Sequence, residues 1–134
     1  MLSFDVNWIA VIVAVIANMV IGAAWFAVFA NPWMQGVGKT RQEIEGDQDW
    51  RPYAVAVLNS FLMAFVLANV IAWSGATGLL GGLVTGLIMW LGFTGFTFAV
   101  NHAFEGRSLT LWAINSGTYL VGLLVMGMIL GVWR

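Results

Sequence analysis

The charges of this chain are confined to so few places that they dictate its architecture. Of five basic and six acidic side chains, seven lie between Lys39 and Arg51, and the rest are Asp5, Glu105, Arg107 and Arg134. The stretches 6–38, 52–104 and 108–133 carry none. A membrane-spanning helix needs about 20 apolar residues at about 1.5 Å each. The first and last stretches therefore hold one span apiece and the middle one holds two. The expected fold is all-α: a four-transmembrane-helix bundle of two hairpins, with both termini on the same side. The apolar runs place the spans at about 8–29, 53–73, 79–100 and 109–133 of a single domain covering 1–134.

Composition points the same way, with 8% charged residues against about 25% in soluble domains. Cysteine is absent, which excludes disulfides, thiol nucleophiles and cysteine metal sites. A net charge of -1 without a basic patch leaves no footprint for nucleic acid. The opening residues lack the positive region of a secretory signal, and the first apolar run is about twice the length of a signal core. That run is read as the first span. No cofactor or metal is expected, and the first partner is the lipid bilayer.

Local signals divide the polar segments. Asn31-Pro32 should end span one, because proline lacks the amide hydrogen and disfavours helical geometry in the residue before it. Thr40 and Glu43 fit a capping box opening a short helix. Glu43, Glu45, Asp47 and Asp49 alternate, but without the glycine placement of a calcium loop they read as a solvated acidic turn. Trp8, Trp33, Trp50, Trp73, Trp112 and Trp133 fall near span ends, as an interfacial belt should. Trp25 and Trp90 do not, and are expected to pack inside the bundle or against lipid. Lys39, Arg41, Arg51 and Arg107 flank one side of the spans and Arg134 alone the other. The positive-inside rule then puts loops 31–51 and 102–108 in the cytoplasm and both termini outside.

Small residues recur at helical spacing. Gly82 and Gly86 in span three, Gly127 and Gly131 in span four, and Gly22 at the end of the Ala10–Ala14–Asn18 stripe are the expected packing positions, since small residues let helices approach closely in lipid. Four short helices enclose little interior, so such stripes suggest a homo-oligomer. Gly22 and Asn31 match Gly92 and Asn101 in spacing, and Asn59-Ser60 matches Asn115-Ser116. A repeat relating the two hairpins by an axis along the membrane normal is one reading, and coincidence among glycine-rich helices the other.

Chemistry, if any, should come from polar residues within the spans, because buried amides must face other helices and not lipid. Asn59, Thr94, Thr97, Asn101, Asn115, Ser116 and Tyr119 fall in the cytoplasmic half, with Asn18 near mid-membrane and His102 at the mouth. Thr94, Thr97 and Asn101 share one helical face, which a turn back would set beside Asn115 and Ser116. Asn69 lies apart, near the outer end of span two. One reading is a site for a small solute or ion; the other is hydrogen bonding that only fixes helix register, in a structural or accessory subunit. A catalytic pairing of Ser116 with His102 is poorly supported, because Ser116 lies deeper and no third group orients the imidazole.

The run Asn101-His-Ala-Phe-Glu-Gly-Arg-Ser-Leu-Thr-Leu-Trp-Ala-Ile-Asn115-Ser-Gly-Thr-Tyr119, with Gly127 and Gly131 beyond it, carries a further signal. So do Asn7-Trp8 and Gly22-Ala-Ala-Trp25. Together they resemble a family of small four-helix bacterial membrane proteins known as a domain of unknown function. The resemblance covers nearly the whole chain and implies a bacterial inner-membrane protein. It carries over no activity, ligand or catalytic residue. Phe26 departs from the tyrosine more usual there in that family.

Overall fold

The computed structural model describes residues 1–134 and is entirely helical. Helix α1, Trp8–Val28, opens on Asn7, whose Oδ1 accepts the Ala10 amide at 3.1 Å and satisfies one free donor of the first turn. It stops at Val28, and α2, Ala30–Val37, begins after Phe29. Pro32 thus sits in the first turn of a new helix, where its missing N–H is not needed, and does not itself terminate α1 as expected. Gly38 closes α2 with φ 72°. Thr40 caps α3, Arg41–Gly46, by accepting the Glu43 amide at 3.1 Å, which bears out that half of the capping box.

Helix α4, Arg51–Ser74, ends on the left-handed Gly75. Helix α5, Gly78–Met89, passes into a π-helical segment, Trp90–Gly95, and then into α6, Phe96–Phe104. This span ends in a Schellman motif: Arg107 N–H donates to His102 O at 2.8 Å and Gly106 N–H to Ala103 O at 3.2 Å, with Gly106 at φ 70°. Ser108 then caps α7, Leu109–Val132. The four long helices, of 21, 24, 27 and 24 residues, are each long and apolar enough to cross a bilayer, and the protein is an integral membrane protein. The segment 29–50 and the turn 105–108 share one end of the bundle, the loop side. Both termini and the turn at Gly75–Thr77 share the other, the terminal side.

Helix α7 is the centre of the bundle, packed against α1, α4, α5, the π segment and α6. Its contact with α5 is made by backbone. A Cβ on Gly82 would fall on the Gly127 carbonyl, one on Gly127 on the Gly82 carbonyl, one on Gly86 on the Leu123 carbonyl and one on Gly131 on the Gly78 carbonyl. Each glycine thus turns a Cα–H toward a carbonyl of its partner, a weak attraction that requires this closeness. The expected packing glycines Gly82, Gly86, Gly127 and Gly131 all lie in this one seam, facing each other within the chain. Gly22 does not join them: nothing lies within 4 Å of where its Cβ would be.

On the other side of α7, Ala10, Val11 and Ala14 of α1 meet Ala64, Leu67 and Ile71 of α4 and Leu123, Met126 and Leu130 of α7 in one apolar core. The terminal side is tied by polar contacts. Asn69 is 2% exposed; its Nδ2 donates to Phe65 O at 3.0 Å and Ser3 O at 3.2 Å, and its Oδ1 accepts the Ser3 amide at 2.7 Å. Asn7 Nδ2 reaches Trp133 O and Arg134 reaches Ala76 O. Asn69 is therefore no isolated amide; it anchors the chain's first residues to α4.

Candidate functional site

Three turns after the seam, the same span behaves differently. Gly78, Gly82 and Gly86 face α7, and an uninterrupted α-helix of about 3.6 residues per turn would next present positions near 93, 97, 100 and 104. Those positions are outward: Phe93 is 73% exposed, Val100 56% and Phe104 90%, and Thr97 is exposed too. Gly95 and His102 are buried in their place, with Phe98 half-buried. The π segment takes up one extra residue, which turns everything after it by about 100°. The shared face of Thr94, Thr97 and Asn101 is consequently swung off α7, and His102, not Asn101, meets Asn115.

Tryptophan indoles hold the re-phased segment. Trp90 Nε1 donates to Ser116 O at 2.9 Å, and Trp112 Nε1 to Gly95 O at 2.8 Å. Gly95 is bare because a Cβ there would meet the Trp90 ring at 2.6 Å. Trp25 Nε1 likewise donates to Ile114 O at 2.9 Å, over Gly117, whose Cβ would stand 2.7 Å from that indole. Trp25 and Trp90 pack inside the bundle, and Trp112, in the first turn of α7, braces the π segment and the start of α6.

The rotation opens a gap. Helix α4 packs on α1, α7 and α5, whereas α6 leans on α7, and between α4 and the π segment with α6 lies a cleft of about 530 Å³. Asn59, Thr94, Thr97, Asn101 and Tyr119 line it, among apolar walls including Leu62, Phe93 and Phe98. Outside the cleft, Thr85 turns its hydroxyl onto Gly81 O at 2.8 Å and Ser116 onto Trp112 O at 2.7 Å. Within the cleft Asn59 finds only the Met63 thioether, at 3.3 Å. The side chains of Thr94, Thr97, Asn101 and Tyr119 make no hydrogen bond within the chain. Toward the terminal side the cleft ends against Leu67, Met89 and Leu123, which belong to or pack on the core.

The other candidate residues lie outside the cleft. Asn18 sits where α1, α4 and α7 cross: its Nδ2 donates to Ser60 Oγ at 2.8 Å, and its Oδ1 fills the space a Cβ on Gly122 would need. Asn115 Nδ2 lies 3.2 Å from His102 Nε2, and the imidazole is 6% exposed with Nδ1 unpartnered. Phe98 joins this pair to the cleft, its ring edge-on to His102 and stacked on Tyr119 at 5.6 Å between centroids. The expected Thr97–Asn101–Asn115 network is not formed, and Ser116 and His102 are bonded elsewhere. The two Asn-Ser pairs also take unlike roles, Asn59 lining the cleft while Asn115 meets His102, and Ser60 bonding across helices while Ser116 bonds its own. Sequence reasoning missed the π segment and the indole braces. Their signal was Trp90 and Trp112 set around the Gly92–Gly95 pair.

A family model described as "Protein of unknown function (DUF1761)" matches residues 9–131, and the chain belongs to that family, in keeping with the resemblance read from its motifs. No curated protein and no solved structure matches it.

Proposed function

We propose that the protein binds a small uncharged ligand in the cleft between α4 and α6. One observation carries this reading: five neutral polar side chains converge on a cavity of about 530 Å³, within the usual range of about 300–1,000 Å³ for ligand sites. Polar groups without partners at membrane depth are costly, and a ligand bearing hydroxyls or amides would satisfy them. Binding is favoured over permeation, because a path across the membrane would have to pass the core at Leu67, Met89 and Leu123. Ion conduction would call for rings of carbonyls or charges, and the lining is neutral.

Asn18 with Ser60, His102 with Asn115, and the three indole braces support the second reading, a structural or accessory subunit without transport or catalysis, for the residues outside the cleft. A homo-oligomer would have to use outward surface such as α1 around Gly22, since the α5 and α7 glycines face one another. The excess of Lys and Arg supports a cytoplasmic loop side and external termini, and the family resemblance supports a bacterial inner membrane.

Thermal unfolding of the purified protein tests the proposal, because a ligand for the folded state raises the unfolding temperature by mass action. A panel of uncharged solutes and membrane lipid fractions should contain at least one that stabilises the wild type but not the filled-cleft variant Thr94→Leu/Thr97→Leu. A panel in which nothing discriminates the two proteins would favour the accessory reading.

A further inference from the structure

The graded polarity of the cleft narrows its ligand. Resting on the cleft reading above, we infer that the site takes an uncharged amphiphile from the loop-side leaflet, its hydroxyl- or amide-bearing head toward the loops and its hydrocarbon body toward the bilayer centre. Depth along the helices gives the orientation. Counted from the loop-side ends of their helices at about 1.5 Å per residue, Asn101 lies about 5 Å in, Thr97 about 10 Å, Asn59 about 12 Å, and Thr94 and Tyr119 about 15 Å. Beyond them Leu67, Met89 and Leu123 lie more than about 20 Å in and are apolar. Half of a hydrocarbon core about 30 Å thick is about 15 Å. The hydrogen-bonding groups therefore lie in the loop-side leaflet, the deepest of them at the midplane, and the apolar end lies beyond it, which is the polarity of an amphiphile inserted with its head toward the loops.

Charge and access agree with this occupant. No Lys, Arg, Asp or Glu lines the cleft, and the cation and anion of the nearby turn, Arg107 and Glu105, are paired with each other. An ionised head would stand uncompensated in a low-dielectric setting. Leu62, 49% exposed, and Phe93, 73% exposed, line the cleft on its outward side beside the exposed Thr97 and Asn101. A molecule moving from lipid into the cleft exchanges one apolar surface for another and gains the polar wall.

The test uses the full chain in phosphatidylcholine nanodiscs carrying equal mole fractions of monooleoylglycerol, oleate and oleylamine. The probes retained on the captured protein are then quantified by mass spectrometry. Monooleoylglycerol should be retained at least about five-fold over either charged probe, a difference of roughly 1 kcal/mol in affinity. Thr97→Val/Asn101→Leu should abolish that preference without lowering the unfolding temperature. Should the double variant fold poorly, Thr97→Val alone serves, its hydroxyl having no partner in the chain. Equal retention of the three probes, or a variant that keeps the preference, overturns the inference. If glycerol alone competes monooleoylglycerol away, the ligand is an aqueous solute; the amphiphile is then wrong and the cleft reading stands. If neither glycerol nor any of the chain-bearing probes binds above the filled-cleft variant Thr94→Leu/Thr97→Leu, both fall.

Discussion

The two halves of the third span make opposite contacts with their neighbours. Along α5 three glycines strip the helix to its backbone and α7 closes on it until carbonyls touch Cα–H groups. Along α6 the side chains return, the helix has been turned by the π segment, and α4 no longer follows it. A close seam tolerates no added atom, while an open wall tolerates exchange of its side chains. Rigidity and a binding surface are thus separated along a single helix, with the π segment as the divide.

Breaking the seam should cost most. Gly82→Leu drives a side chain into the Gly127 backbone, which cannot give as a flexible side chain would. Overpacking costs typically about 1–3 kcal/mol and occasionally more, and the upper end is expected here, read as loss of a cooperative thermal transition in detergent. Gly22→Leu, with open space at its Cβ, should leave the transition nearly unchanged; equal damage from both would dissolve the distinction.

Inserting one alanine after Phe93 sharpens the comparison from the middle. With the π segment kept, one residue more puts Thr97 and Asn101 toward α7 in place of Phe98 and His102, and takes Gly95 and His102, the partners of Trp112 and Asn115, out of position. Two hydrogen bonds of about 0.5–1.5 kcal/mol each suggest a loss of about 1–3 kcal/mol. Cysteines placed at 98 and 119 in the parent, which has none of its own, should crosslink there and not in the insertion.

Asn69→Leu leaves the Ser3 backbone without its partners, and about 1–2 kcal/mol is expected from buried groups left unsatisfied. Asn115→Leu breaks one contact, to His102, and should cost nearer the membrane average of about 0.6 kcal/mol. Equal unfolding temperatures for the two would show that the terminal side is not the better-fastened end. The smallest effect is expected at Thr97→Val, within about 0.5 kcal/mol of wild type, because it alters an open wall. Ligand retention should change there while stability does not.

How much of this was legible depends on the kind of signal. The spans, their number and the shared side of the termini follow from where charges are missing, and the cap at Thr40 follows from its hydroxyl three residues before Glu43. The glycines of α5 and α7 were visible as a stripe, yet a stripe does not say whether its partner lies in the same chain. The polar residues were found, but their grouping was not, because periodicity counted through an assumed α-helix carries the wrong phase past Gly92. One extra residue in a turn moved Asn101 off α7 and brought His102 to Asn115. Asn69 was misjudged for a different reason: its partner, Ser3, lies in a segment without periodicity.

The central position of α7 has a consequence for how the molecule comes to exist. It is the last of the four helices to leave the ribosome, yet α5 needs it to cover its glycine face and α1 needs it to complete the apolar core. Until it arrives, the earlier helices hold mainly what α1 and α4 make together, the Asn18–Ser60 bridge, the bonds of Asn69 to Ser3 and the stacked rings of Trp8, Phe61 and Phe65. For most of its synthesis the nascent chain is therefore a packed pair, α1 with α4, followed by a span whose glycine face is uncovered and open to membrane quality control. A slow codon or a stalled insertion at Leu109 would be felt by the whole bundle, whereas one at Arg51 would delay only a partner that α1 can wait for.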